Sequence, residues 1–254
     1  MARDYKRSSR YYQGYNTLSK RPFYILAFLL PLVVYYEIAL YNAEKNIQIK
    51  AHDALVRFFE LFDMPPTQGL FLGGIAIVTV LSIWHFMSRD PWHIEPKVVA
   101  GMAIESVLLT FPLLAFGTML AVVASTSPSP IAHLGFSELI AVSIGAGLYE
   151  EFLFRMLLIA GVHTLVCNFF KQSNLVGLAS GIIVSAIAFA MYHDFPEGTL
   201  GAPTLLFYSI AGIYLGFIFV NRGFGIAAGT HAVYDVIATT VFTSTAGLNA
   251  TLSL

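Results

Sequence analysis

Long apolar runs separated by short polar stretches set the pattern of the chain. Runs near the ~20 residues needed to cross a bilayer as a helix fall at 22–41, 69–88, 98–124, 138–165, 175–193, 204–220 and 226–243. The pattern predicts an all-α, polytopic transmembrane helix bundle of about seven spans. The third and fourth runs are long enough to tilt or bend. A different pattern lies between the first two runs. In 51–63, AHDALVRFFELFD, Leu55, Phe58, Phe59 and Phe62 share one helical face, and Asp53, Arg57 and Glu60 share the other. This predicts an interfacial helix, although a packed connector fits the same alternation. The first apolar run is longer than the ~7–15 residues of a signal-peptide core and reads as a retained signal anchor.

Composition agrees with a membrane setting. The 254 residues are 57% hydrophobic and 11% charged, with a mean hydropathy of +0.71. Soluble domains carry about a quarter charged residues. A net charge of -1 gives no electrostatic footprint for nucleic acid. The single cysteine, Cys167, excludes an intrachain disulfide and a cysteine-rich zinc site. The cations are unevenly spread. Arg3, Lys6, Arg7, Arg10, Lys20 and Arg21 lie before the first run, and Arg89, Lys97, Lys171 and Arg222 fall on the same side of the bundle. Only Lys45, Lys50 and Arg57 fall on the other side, and Arg155 lies within a span. The positive-inside rule then predicts a multi-pass integral membrane protein with its N-terminus in the cytoplasm, in the inner membrane if the source is bacterial.

The expected organisation is a basic tail (1–21), N-terminal spans (22–137), a second membrane unit (138–243) and a C-terminal tail (244–254). Three small-residue pairs lie in the second unit: Gly177 with Gly181, Gly212 with Gly216, and Gly225 with Gly229. Such spacing lets helix backbones approach closely, and predicts a tight bundle of the last four spans with the first three as a surround.

A charge at mid-bilayer costs about 2.5–3.5 kcal/mol on insertion scales, so intramembrane ionisable residues mark functional sites by default. Glu37 and Glu105 stand alone in their spans and read as structural. Glu37 lies near a span end, within reach of the interface. In GLYEEFLFRMLL, Glu151 and Arg155 are four apart and share a helical face. Glu150 points about 100° away. The spacing therefore predicts a Glu151–Arg155 clamp and a free carboxylate at Glu150, available as proton acceptor and donor. His193 ends the run IIVSAIAFAMYH, and His231 and Asp235 are four apart in GTHAVYD. Asp235 would orient His231, or both would bind one partner.

Glu150-Glu151-x-x-x-Arg155, Phe189-x-x-x-His193 and His231-x-x-x-Asp235 occur in that order, each in an expected span. The set resembles the signature of the CPBP family of CAAX proteases and bacteriocin-processing enzymes, also called the Abi or CAAX prenyl protease 2/lysostaphin resistance protein A-like family. The resemblance covers 138–243. It implies an intramembrane endopeptidase in which Glu150 and His193 activate water while His231 and the residue at 235 stabilise the oxyanion. Glu151, Arg155 and Phe189 would support them. The family pattern allows Asn or Asp at the last position. An ionised Asp235 cannot donate to an oxyanion, so it is protonated, orients His231 or helps bind a metal. The family is often described as metalloproteases. Zinc would be taken by Glu150, His193, His231 and Asp235; the lack of an HExxH pattern favours a metal-free site. The implied partner is a membrane-associated protein or peptide held at the lipid bilayer.

Two other functions remain open at this point. A non-catalytic immunity or resistance factor would keep its phenotype without Glu150. A proton-coupled transporter would also place carboxylates and histidines in the membrane, but its chemistry is commonly spread over repeated halves. One geometric conflict also arises. With these boundaries His193 and His231 sit at opposite ends of their spans, on the order of 20 Å apart in depth.

Overall fold

The computed structural model describes residues 14–42, 72–124, 134–193 and 202–252. The interfacial helix expected at 51–63 lies outside these residues, as do residues 1–13 of the basic tail. Inside a bilayer no water satisfies backbone N–H and C=O groups, so apolar runs of this length pair their backbone within the segment. The described residues accordingly form eight helices and no strand: α1 (Tyr15–Leu18), α2 (Pro22–Asn42), α3 (Leu72–Ser88), α4 (Pro96–Ala124), α5 (Phe136–Phe169), α6 (Asn174–Tyr192), α7 (Ala202–Arg222) and α8 (Phe224–Leu252). Each apolar run coincides with one of α2 to α8. Among them α2, α4, α5, α6 and α7 are long and apolar enough to cross a membrane, and the apolar part of α3 is shorter.

Helix α5 organises the rest. It is 34 residues long, on the order of 50 Å at ~1.5 Å per residue. It is α-helical to Glu151 and π-helical over Phe152–Ile159 and Leu165–Phe169. Helix α6 runs antiparallel along its C-terminal half: Gly181 faces Ile159, and Ser185 Oγ donates to the Phe154 carbonyl at 2.8 Å. Helix α8 runs antiparallel along its N-terminal half: Ala232 meets Gly147, and Thr239 meets Ser143 at 3.2 Å. The end of α6 and the first turns of α8 therefore reach the same level, beside residues 150 and 151. Helix α7 returns along α6, with Gly212 against Ala186 and Gly216 against Ile182. Gly223, at φ 91°, makes the left-handed turn into α8 that a side chain would resist.

Among the described glycines, Gly147 makes the tightest approach to the backbone of another helix. A Cβ there would lie 2.6 Å from the Ala232 nitrogen and 2.8 Å from its Cα. Backbone cannot rotate away as a side chain can. Gly147→Ala is expected to destabilise the protein by about 1–3 kcal/mol through overpacking, read by denaturation in detergent. An unchanged midpoint would mean that α5 and α8 do not meet in this way.

The N-terminal helices are part of the core rather than a surround. Ile25 and Leu29 of α2 and Met102 of α4 are buried in one cluster with Leu148, Phe152 and Phe224. Gly225 faces Ile25 and Met102, and Gly229 faces Phe28 and Ser106. The third glycine pair thus joins α8 to α2 and α4, not to the last four spans. Glu105 closes one end of the bundle. It accepts from Arg222 Nε at 2.5 Å and Nη2 at 2.7 Å, and from the Tyr15 hydroxyl at 2.5 Å. Burial and this carboxylate push the Tyr15 phenol up to about 12. Glu37 does not reach for the interface. It turns inward, where Oε1 accepts from Tyr149.

Candidate active site

Three consecutive residues of α5 point in three directions, as a helix that turns 100° per residue requires. Tyr149 faces α2 and α3, through Glu37 and Gly73. Glu151 faces α8. Glu150 lies between these directions. All three are buried.

Glu151 is the hub of the charges. Arg155 Nη1 is 3.1 Å from its Oε1, with both side chains fully buried. His231 Nδ1 lies 2.8 Å from the same oxygen. The helix spacing predicts the first contact; the second comes from α8 arriving at that level. Arg155 also lies over the Phe189 ring at 4.2 Å. Phe189 is itself buried between Arg155 and the two histidines, its ring 4.7 Å from that of His193 and 5.8 Å from that of His231.

Glu150 is arranged differently. Its Oε2 is buried without a hydrogen bond. His193 Nε2 lies 3.7 Å away and His231 Nε2 lies 3.9 Å away. These spacings are too long for direct hydrogen bonds and short enough for one water to touch all three. The ring contacts define the nitrogens. His193 Nδ1 is 2.8 Å from the Phe189 carbonyl, which can only accept, so Nδ1 carries hydrogen and Nε2 of the neutral ring presents its lone pair to Glu150. On His231, Nδ1 faces Glu151 at 2.8 Å, and Nε2 lies 3.4 Å from Asp235 Oδ2. A ring with both nitrogens facing carboxylates is best satisfied as an imidazolium donating from both.

A cavity of about 390 Å³ opens on this cluster. Glu150, His193, His231 and Asp235 line its polar end, and Tyr208, Tyr234, Leu113 and Phe207 form apolar wall. Tyr208 of α7 stacks on His193, ring centroids 3.7 Å apart and planes 20° apart. The seven residues singled out from the sequence are therefore brought together in two groups. Glu150, His193, His231 and Asp235 face the cavity, and Glu151, Arg155 and Phe189 sit behind them.

Comparison with known families decides the kinship. Residues 130–237 match the family model for type II CAAX prenyl endopeptidase Rce1-like proteins. The chain carries an Rce1-like domain. The match contains all seven residues above and is consistent with a CPBP family intramembrane protease, as the three motifs imply. With the apolar helices, it points to an integral membrane protein, and the family that residues 130–237 match is one of endopeptidases. Neither the curated proteins nor the solved structures give a match to the chain.

Within the Rce1-like domain the conflict over depth disappears. His193 and His231 both come within 4 Å of Glu150, at 3.7 and 3.9 Å. The expectation of ~20 Å assumed that every span crosses the full bilayer in register. Instead α6 and α8 are staggered along opposite halves of the long α5, and the late histidine of one meets the early histidine of the other.

Zinc takes four donors at about 2.0–2.2 Å. Among the described residues no group of three or more His, Cys, Asp or Glu side chains is gathered to hold a metal ion. Two residues that line the cavity, Tyr208 and Tyr234, escape sequence reasoning. Tyr208 has no neighbouring motif to betray it. Tyr234 adjoins Asp235, but its ring reaches the cavity only because α8 meets α4 and α7.

Proposed function

We propose that the protein is an intramembrane endopeptidase that hydrolyses a peptide bond in a membrane-associated protein or peptide, by water activation at Glu150 without a metal. One observation carries the reading. The Glu150 Oε2, free of hydrogen bonds, is faced by Nε2 of both histidines at the wall of a cavity. Amide hydrolysis needs a base for water, a donor for the oxyanion and an acid for the leaving amine. Glu150 takes a proton from the water, which also donates to His193 Nε2. The resulting hydroxide oxygen bonds to the carbonyl carbon. The carbonyl oxygen becomes an oxyanion, stabilised by the imidazolium of His231. Glu150 then passes its proton to the amine as the C–N bond breaks and the oxyanion reforms the carbonyl, leaving a carboxylic acid and a free amine, with Glu150 again ionised. Asp235 orients His231 and keeps a proton on Nε2, a role that fits the 3.4 Å contact and resolves its inability to donate. The cation asymmetry favours a cytoplasmic N-terminus.

The substrate follows from cells. Comparative membrane proteomics of wild type and Glu150→Ala is expected to show at least one membrane-associated precursor that accumulates only in the variant. A leader peptide, a C-terminal membrane anchor and a prenylated CAAX tail each leave a distinct uncut terminus. A Glu150→Ala strain with no altered precursor and an unchanged phenotype would favour the binding factor instead. Cleavage by purified protein is also expected to survive a chelator, with no stoichiometric metal in elemental analysis. Loss of activity restored by added zinc would overturn the metal-free step.

A further inference from the structure

The residue before Glu150 makes contacts that the chemistry above does not use. Tyr149 is fully buried. Its hydroxyl donates to Glu37 Oε1 of α2 at 2.9 Å, and the Gly74 N–H of α3 donates to the same oxygen at 3.2 Å. Two successive glycines make room for the pair. A Cβ at Gly73 would lie 2.5 Å from the Tyr149 ring, and one at Gly74 would run into the Glu37 carboxylate. Both glycines stand in the first described turn of α3, where the absence of side chains lets this pair pack against its backbone. The Tyr149 ring is further held edge-on by Tyr36, centroids 5.2 Å apart. All of these partners precede the matched residues 130–237.

We infer that Glu37, Tyr149 and the glycine pair Gly73–Gly74 form a clasp that fixes the rotation of α5 and so aims Glu150; they are positioning residues for the proposed peptidase, on which this inference rests. Tyr149 and Glu151 lie about 100° to either side of Glu150. One is tied to α2 and α3 and the other to Arg155 and α8. Glu150 is thereby bracketed by two anchors. Bracketing is needed because regular α-helix stops at Glu151 and π-helix begins at Phe152. Such segments have a different turn and recur at functional sites. A carboxylate ~6 Å from a helix axis moves about 1 Å when the helix rotates by ~10°. A displacement of that size costs up to about 100-fold in rate. Glu37 acts as an acceptor, so its charge is dispensable while its oxygen is not.

The test uses the full chain in proteoliposomes with a farnesylated CAAX peptide as the kinetic probe. In parallel, α5 rotation is followed by disulfide formation in S143C/T239C, whose parent hydroxyls are 3.2 Å apart across α5 and α8. Y149F, E37L and G73A are each expected to lower kcat by about 10- to 100-fold with KM within about twofold and to slow the crosslink, and Y149F, which adds no clash, to leave the melting temperature within a few degrees. E37Q, which keeps the acceptor, restores both readouts. Y149F with wild-type kcat and crosslinking overturns the clasp, as does a kcat loss that merely tracks the melting temperature. E150Q run beside them separates the two readings: if it still cleaves, the peptidase assignment of Glu150 fails. The crosslink needs no substrate, so it judges the clasp even then or where the peptide is not cut.

Discussion

Replacing Glu150 by glutamine is expected to lower the rate of peptide cleavage by about 10³-fold or more while leaving the fold intact. General acid–base catalysis contributes about 10²–10⁴-fold, and in the proposed mechanism one group serves as base towards water and then as acid towards the leaving amine. Glutamine keeps the size and one acceptor oxygen but can do neither. The folding cost is small because Glu150 Oε2 has no hydrogen bond to lose. The measurement is kcat for purified wild type and variant, with melting temperature as the control. Residual activity within tenfold of wild type would move the base elsewhere, and His193, whose Nε2 lies 3.7 Å from Glu150, would be the next candidate. The same variant separates the endopeptidase from a non-catalytic factor, whose phenotype would survive.

Much of this site is legible before any coordinates. Charges are so costly among apolar runs that those that remain point to the site. Helix geometry then separates Glu150 from Glu151, because residues 100° apart cannot share Arg155, and the ion pair in the structure goes to Glu151. The expectation fails where it depends on how helices stack. Span ends read from hydropathy say nothing of stagger, so the meeting of His193 with His231 could not be foreseen. The contact of His231 with Glu151 depends on the same stagger. Glu37 looked like an interfacial residue because its partner Tyr149 lies 112 positions away in sequence. The π-helical turn after Glu151 carries no compositional mark, since its residues, FLFRMLLI, suit an α-helix equally well.

Removing Arg155 is expected to have the largest effect on stability. Its guanidinium and the Glu151 carboxylate are both fully buried and 3.1 Å apart. Breaking such a pair from one side costs about 3–5 kcal/mol, because the remaining charge is left in low dielectric without its partner. Arg155→Met keeps much of the volume and the packing against Phe189 while deleting the charge. Glu151 would then retain only His231 Nδ1, at 2.8 Å, so the loss falls on the same carboxylate that holds the oxyanion donor. The double variant Glu151→Gln/Arg155→Met should recover a substantial part of the stability, since replacing both partners of a buried pair is often neutral or better. It should not recover activity, because His231 would lose the carboxylate that holds its Nδ1 proton. Denaturation of the two variants in detergent measures the first effect, and cleavage assays measure the second. A double variant as unstable as Arg155→Met would mean that Arg155 matters for its packing over Phe189 rather than for its charge. Recovery of both stability and activity would mean that Glu151 is dispensable to His231. The pair's place in the proposed mechanism is geometric: Glu151, held by Arg155 at 3.1 Å, in turn holds His231 at 2.8 Å, the histidine proposed to meet the oxyanion.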